Sequence, residues 1–211
     1  MDEPPNRLPS NLLGELSEHG GVHRFPAGET LFNEGDVSDS LYVLIEGELK
    51  VYSCSANGRE IVYNVLSPGE IVGEMTLDGG PRSASVKAVT DSHCLIVNAC
   101  DIRELMGAHP AFAESLVLML ITRLRSATRK IRSLALDGVY ERVIGLLEEA
   151  KIVDGDFQRI PRNLTQLEIA NRIGASREMV NHVLRDLIRG GFIAKDSQHR
   201  MTIIKKLPKH W

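Results

Sequence analysis

No run of 18 or more uncharged apolar residues occurs in the 211-residue chain, so no transmembrane helix and no membrane partner are expected. The N-terminus, MDEPPNRLPS, is acidic and proline-rich, with neither a basic start nor an apolar stretch, and it reads as carrying no export signal. Cysteine is scarce: Cys54, Cys94 and Cys100 are odd in number and lack CxxC or Cys/His ligand spacing. That argues against a disulfide framework or a metal cage and suits reduced thiols in a cytoplasmic protein. No cysteine precedes Cys54. Catalytic signatures are missing too. There is no Gly-x-Ser-x-Gly and no Gly-Lys-Ser/Thr phosphate loop. His19, His23, His93, His109, His182, His199 and His210 form no His-x-His pair of the kind metal-dependent oxygenases use. The expectation is a protein that is not an enzyme and holds no metal.

Charge is unevenly distributed. Residues 1–137 hold 12 Lys/Arg against 19 Asp/Glu, whereas residues 138–211 hold 13 against 9. A basic module joined to an acidic one suggests that only the C-terminal part meets a polyanion.

From Gly21 to Asn98 the pattern is short strands divided by glycine turns at Gly28, Gly35, Gly47, Gly58 and Gly69. Runs such as Leu41–Ile45, Glu48–Tyr52 and Glu60–Val65 imply an antiparallel sandwich or barrel, a shape that often encloses one ligand. Around Pro110 the period changes. Val117, Leu120, Leu124, Ala127, Ile131 and Leu134 recur at spacings of three and four, which is a heptad seam about 26 Å long. One long helix lying over the sheet would also fit, but a seam of that length needs an equally long partner, so a homodimer is expected. Arg123, Arg125, Arg129, Lys130 and Arg132 fall mostly off the seam. Gly138 reads as a hinge, 139–151 as an amphipathic helix, and 154–156 as a turn.

The sharpest signal spans 164–184. Thr165 and Glu168 form a capping box that starts a helix, Gly174 ends it, and Ser176 caps the next helix two residues on. Two helices joined so tightly make a helix-turn-helix. Met179, Val180, Val183, Leu184, Leu187 and Ile188 are expected to be buried, leaving Arg177, Glu178, Asn181, His182, Arg185 and Arg189 on an outward face suited to the major groove. Arg177 can pair with guanine and Glu178 with cytosine. Asn181 and His182 reach further base edges, while Arg185 and Arg189 suit phosphates. Phe192–Lys195 and 200–205 read as a two-stranded wing with Lys205, Lys206 and Lys209 at its basic end.

These residues resemble the winged helix of the cyclic-AMP receptor / fumarate-nitrate regulator family, and the resemblance extends over residues 12–206. It implies an α+β fold. A jelly-roll-like β-roll that binds cyclic nucleotides would take residues 1–108, a dimerisation helix 109–137, and a winged helix-turn-helix 138–211. The family's Ser-Arg-Glu-x-Val signature matches Ser176, Arg177, Glu178 and Val180, with His182 standing where cyclic-AMP receptors place a second arginine. Gly73-Glu74-Met75 and Arg82-Ser83-Ala84 resemble the family's phosphate-binding cassette. By that resemblance Glu74 bonds the ribose 2′-hydroxyl, Arg82 and Ser83 hold the cyclic phosphate, and Thr128 bonds the adenine amine, beside an Ala127 that cannot. The backbone N–H groups at Gly73 and the Arg82 fork suit a phosphate independently. The implied effector is cyclic AMP, with cyclic GMP, cyclic di-GMP or no nucleotide as alternatives. The implied partners are double-stranded DNA carrying a two-fold operator, a second copy of the chain, and RNA polymerase. A ligand-binding module that regulates a protein partner is the rival reading.

Overall fold

The computed structural model describes residues 10–154, 157–196 and 200–208. It divides into two compact units, one comprising residues up to 55 with 62–127, the other 56–61 with 128 onward.

The first unit opens with α1 (Ser10–Glu18) and continues into eight short strands: β1 (Gly20–Phe25), β2 (Thr30–Phe32), β3 (Ser40–Glu46), β4 (Leu49–Cys54), β5 (Glu60–Leu66), β6 (Ile71–Val72), β7 (Ser85–Ala88) and β8 (Ser92–Asn98). They form two four-stranded antiparallel sheets, ordered β1-β8-β3-β6 and β2-β7-β4-β5. Alternation along β3 and β8 explains how the sheets are covered. Leu41 and Val43, with Leu95 and Val97, turn one way, towards Leu16, Ile102 and Phe112 of the helices. Leu44 and Cys94 turn the other way, between the sheets, with Phe25, Phe32, Leu49 and Val86. With period-2 side chains buried on both faces, each fully buried leucine or phenylalanine contributes about 1.5–3 kcal/mol.

Two helices follow, α2 (Ala99–Ala108) and α3 (Pro110–Leu136). Proline stands at the first position of α3, where its missing N–H costs nothing. The expected reading places no helix before Pro110, yet α1 and α2 are both present. Each is only nine or ten residues long, and Asn98 makes no side-chain cap to announce α2. Along α3, Phe112, Leu116 and Met119 are buried against the sheet. The heptad seam is exposed throughout, with Val117 at 52%, Leu124 at 69% and Ile131 at 67%. The sheet-covering stripe and the seam are therefore different faces of one helix.

The second unit holds α4 (Val139–Ala150), β9 (Ile152–Asp154), β10 (Phe157–Arg159), α5 (Gln166–Ile173), α6 (Arg177–Arg189), β11 (Ile193–Lys195) and β12 (Met201–Ile203). Gly138 interrupts the helical path before α4 in an extended conformation. The three helices close over Val143, Leu147, Ile169, Val180, Leu184 and Leu187, with Ile193 and Ile203 of the sheet completing the core. The expected wing forms as β11 and β12, but the sheet is larger, running β11-β12-β10-β9. Residues expected to turn at 154–156 join β9 to β10, though 155 and 156 themselves lie outside the described residues, as does Lys209. No single described helix is long and apolar enough to cross a membrane.

Candidate functional site

Two sites emerge, one in each unit. In the first, Gly73 opens a 3-10 helix, Glu74–Asp78, at φ 87°, a conformation L side chains rarely adopt. A Cβ there would stand 2.4 Å from Arg82 Nη1 and 3.1 Å from the Ser40 carbonyl, so backbone and guanidinium approach as closely as only glycine permits.

Arg82 is 4% exposed. Its Nη1 donates to the Gly73 carbonyl at 3.1 Å, and Nη2 donates to Ser38 Oγ at 2.7 Å and the Ser40 carbonyl at 2.6 Å. Its Cζ lies 4.1 Å from the Phe32 ring centroid and 5.7 Å from that of Tyr42. Burial pulls the Arg82 pKa below its ordinary value, opposed by Tyr42, Asp36, Asp39 and Glu74; a guanidinium nevertheless stays charged. Burial also raises the Tyr42 hydroxyl, with Arg82 opposing. The loop before β3 straps the cassette in place. Gly35 N–H donates to the Arg82 carbonyl, Arg82 N–H to the Asp36 carbonyl, and Thr76 Oγ1 to the Ser38 carbonyl. Ser83 Oγ donates to Met75 Sδ at 3.1 Å, Met75 is half exposed, and Ala84 is buried.

Glu74 has a partner the sequence reading missed. Arg123 of α3 donates Nη1 to Glu74 Oε1 at 2.7 Å, and Nη2 to the Ile71 carbonyl. Both side chains are largely buried. The signal was present: Phe112, Leu116, Met119 and Arg123 continue one stripe at spacings of four, three and four, so a cation sits on the sheet-facing side. Arg82 Nε and Arg123 Nε are buried with no hydrogen-bond partner among the described residues. Buried donors of this kind suit an anionic oxygen. Thr128 is exposed on α3, in the second unit.

In the second unit Thr165 Oγ1 accepts from Glu168 N–H at 3.2 Å, while the Glu168 carboxylate pairs with Arg172 at 2.7 Å. Gly174, at φ 65°, terminates α5, and a Cβ there would meet Leu134 Cδ2 at 3.1 Å. Ser176 caps α6 by accepting from Met179 N–H at 3.2 Å. Arg177 and Glu178 are exposed at the start of α6. Hydrogen bonds from its own N–H and from Ser176 hold the Glu178 carboxyl below its ordinary pKa.

Three expectations for α6 need correction. Met179 and Ile188 are exposed, at 49% and 38%, because Val180, Val183, Leu184 and Leu187 already fill the arc that the core covers. Each of the two lies roughly 90° round the helix from the centre of that arc. Asn181 is half-buried rather than fully outward, since Gln166 Nε2 donates to its Oδ1 at 3.1 Å. His182 is 80% exposed with Nε2 3.4 Å from Asp186, whose other oxygen lies 3.6 Å from Arg189. Arg185 is exposed, and Lys205 stacks over Phe192 at 4.4 Å.

Among the described residues no group of three His, Cys, Asp or Glu side chains gathers as a metal site. His93 and His109 each lie 3.4 Å from a glutamate, Glu46 and Glu15. The three cysteines are free thiols.

Comparison with known proteins identifies the domain in each unit. A cyclic nucleotide-binding domain model matches residues 22–109, and a Crp-like helix-turn-helix domain model matches residues 141–209. A CRP-like cAMP-activated global transcriptional regulator of Mycobacterium tuberculosis is 33% identical over 174 residues, covering 80% of this chain and 78% of that protein. The cAMP-activated global transcriptional regulator CRP of Escherichia coli is 30% identical over 193 residues, covering 88% and 90%. Among solved structures, the c-di-GMP responsive global regulator CLP of Xanthomonas campestris superposes with a TM-score of 0.82 at 22% identity, over 92% of this chain and 98% of that one, a likeness of fold. With a nucleotide-binding roll in one unit and a helix-turn-helix in the other, this chain belongs to the CRP/FNR family of DNA-binding transcription regulators.

Proposed function

We propose that this chain is a homodimeric, cytoplasmic regulator whose affinity for a two-fold operator is set by cyclic AMP bound in residues 1–108, with 109–137 as the dimer helix and 138–211 as the DNA-binding domain. The observation that carries the effector reading is the Arg82 guanidinium, buried beside Gly73 and Glu74 with its Nε unpartnered. A cyclic phosphate would accept from Arg82, from Ser83 and from the free backbone N–H groups at the start of the 3-10 helix. Glu74, already oriented by Arg123, would accept from the ribose 2′-hydroxyl and repel a bare anion. Thr128 would bond the adenine amine. The two relatives named as cAMP-activated favour cyclic AMP. The Xanthomonas protein is named for c-di-GMP, and Ala127, lacking a hydroxyl, leaves the base end to Thr128 alone.

On the DNA side, Arg177 and Glu178 would read base edges, Thr165, Ser176 and Arg185 would meet the backbone, and His182 would contact a further base. Nucleotide binding would bias how two α3 seams pair, with the break at Gly138 passing that bias onward. The nucleotide has to prefer the competent arrangement, or it shifts nothing.

Calorimetry of the purified protein with cyclic AMP, cyclic GMP and cyclic di-GMP tests the effector. Cyclic AMP is expected to bind most tightly, and Arg82→Ala to abolish binding while leaving the circular dichroism spectrum unchanged. Equal titrations for wild type and variant would refute the assignment.

A further inference from the structure

One base-reading candidate on α6 has its orientation set from the neighbouring helix. Gln166, the first residue of α5, donates Nε2–H to Oδ1 of Asn181 across the helix-turn-helix at 3.1 Å, and both side chains are half-buried. The backbone that carries Gln166 is firmly seated. Thr165 caps the turn it begins, and Ile169 N–H bonds the Thr165 carbonyl at 2.8 Å. Asn181 follows Arg177 by four residues, so the two share a face of α6 about one turn apart.

A solitary asparagine amide turns over at little cost and offers its oxygen and nitrogen in either order. Donation from Gln166 selects one order, because it requires the Asn181 oxygen, not the nitrogen, on the α5 side. A carbonyl oxygen has two lone pairs, so the bond to Gln166 leaves a second lone pair on the edge shared with Nδ2. That edge presents an acceptor beside a donor. In the major groove adenine alone among the purines answers it, with the N6 amine beside N7, whereas guanine shows two acceptors.

We propose that Gln166 is a positioning residue that locks the Asn181 amide for bidentate reading of one adenine in each operator half-site, beside the base read by Arg177. This rests on the reading that the Arg177 face of α6 enters the major groove.

The test is selection of binding sites from random duplexes with the full-length protein, with and without cyclic AMP, for wild type, Gln166→Ala, Gln166→Glu, Asn181→Ala and Arg177→Ala. Wild type is expected to select adenine at one position per half-site. Asn181→Ala should erase that preference, about tenfold in relative affinity. Gln166→Ala should weaken it at least threefold at that position alone, by the same logic of a single bidentate pair. Gln166→Glu preserves size but accepts instead of donating. It should turn the amide over and lose the adenine preference even while the thermal midpoint is unchanged. Replacing the selected adenine with 7-deazaadenine should weaken wild type and leave Asn181→Ala and Gln166→Glu unaffected, whereas a merely structural role for Gln166 would leave Gln166→Glu as sensitive as wild type. A motif that responds to Arg177→Ala but has no position responding to Asn181→Ala overturns the proposal alone. So does a Gln166→Ala loss spread evenly over all sequences. No selected motif in either nucleotide condition overturns the groove reading of α6 and this proposal with it.

Discussion

Gly73 holds φ at 87° with the space for its missing Cβ taken by Arg82 Nη1, 2.4 Å away. Gly73→Ala therefore combines left-handed strain of about 1–2 kcal/mol with displacement of the guanidinium. The variant is expected to lose about 1–3 kcal/mol in urea unfolding and to bind cyclic AMP more weakly than wild type. Unchanged values in both measurements would show that neither the turn nor Arg82 is constrained there. Cys94 makes a second residue-scale case. It is fully buried between the sheets, and burial pushes its thiol up to about 12 from 9.0. The unfolded chain gives up that proton as pH rises past 9, while the folded chain keeps it until about 12. Stability from this residue is therefore intact below pH 9 and falls between 9 and 12, by about 1.4 kcal/mol per pH unit. A Cys94→Ala variant should lack this component of the alkaline slope in denaturant melts. Exposed Cys54 and Cys100 should react with a thiol reagent in the native protein, and Cys94 only on unfolding.

At the scale of elements, α3 carries two superimposed apolar patterns, and the sequence displays both. The spacing of Val117, Leu120, Leu124, Ala127, Ile131 and Leu134 announces a seam, and those residues are exposed along α3. The stripe of Phe112, Leu116 and Met119 packs on the sheet and carries Arg123 to Glu74. Reading only the longer pattern hid the shorter one, and with it Arg123, a cassette partner contributed from α3. The helix-turn-helix was legible to single residues because its signals are local: a cap at Thr165, φ 65° at Gly174, a cap at Ser176. What was not legible depends on packing. Only the width of the core decides that Met179 and Ile188 stay out, and only the crossing of α5 over α6 brings Gln166 to Asn181. The seam yields a direct test. Ile131 is 67% exposed, so Ile131→Glu costs the isolated chain little, whereas a charge facing its twin across a paired helix is destabilising. Light scattering should find wild type dimeric and Ile131→Glu monomeric at micromolar concentration. A dimeric variant would place the subunit contact elsewhere.

At the scale of the whole molecule, charge separates along the chain: residues 1–137 are net acidic (12 basic against 19 acidic) and residues 138–211 net basic (13 against 9). A uniformly mixed surface would give weak, diffuse attraction to DNA. A polarised one attracts through its basic part and repels through its acidic part, which favours presentation of α6 and the wing. Exposed Arg177, Arg185 and Arg189 lie on α6, and the exposed Lys205 and Lys206 follow the wing, so a dimer would neutralise roughly 6–8 phosphates, three or four per subunit. The slope of log K against log salt should then be about −5 to −7 on a duplex with both half-sites. That corresponds to a loss of about 10³–10⁴ in affinity between 50 and 200 mM salt. On a duplex carrying one half-site only one subunit is engaged, and the slope should fall to about half. Fluorescence anisotropy across a salt series on the two duplexes separates the alternatives cleanly. Equal slopes would mean that the second subunit never reaches DNA, and a slope near zero would mean that the basic end meets something other than a polyphosphate.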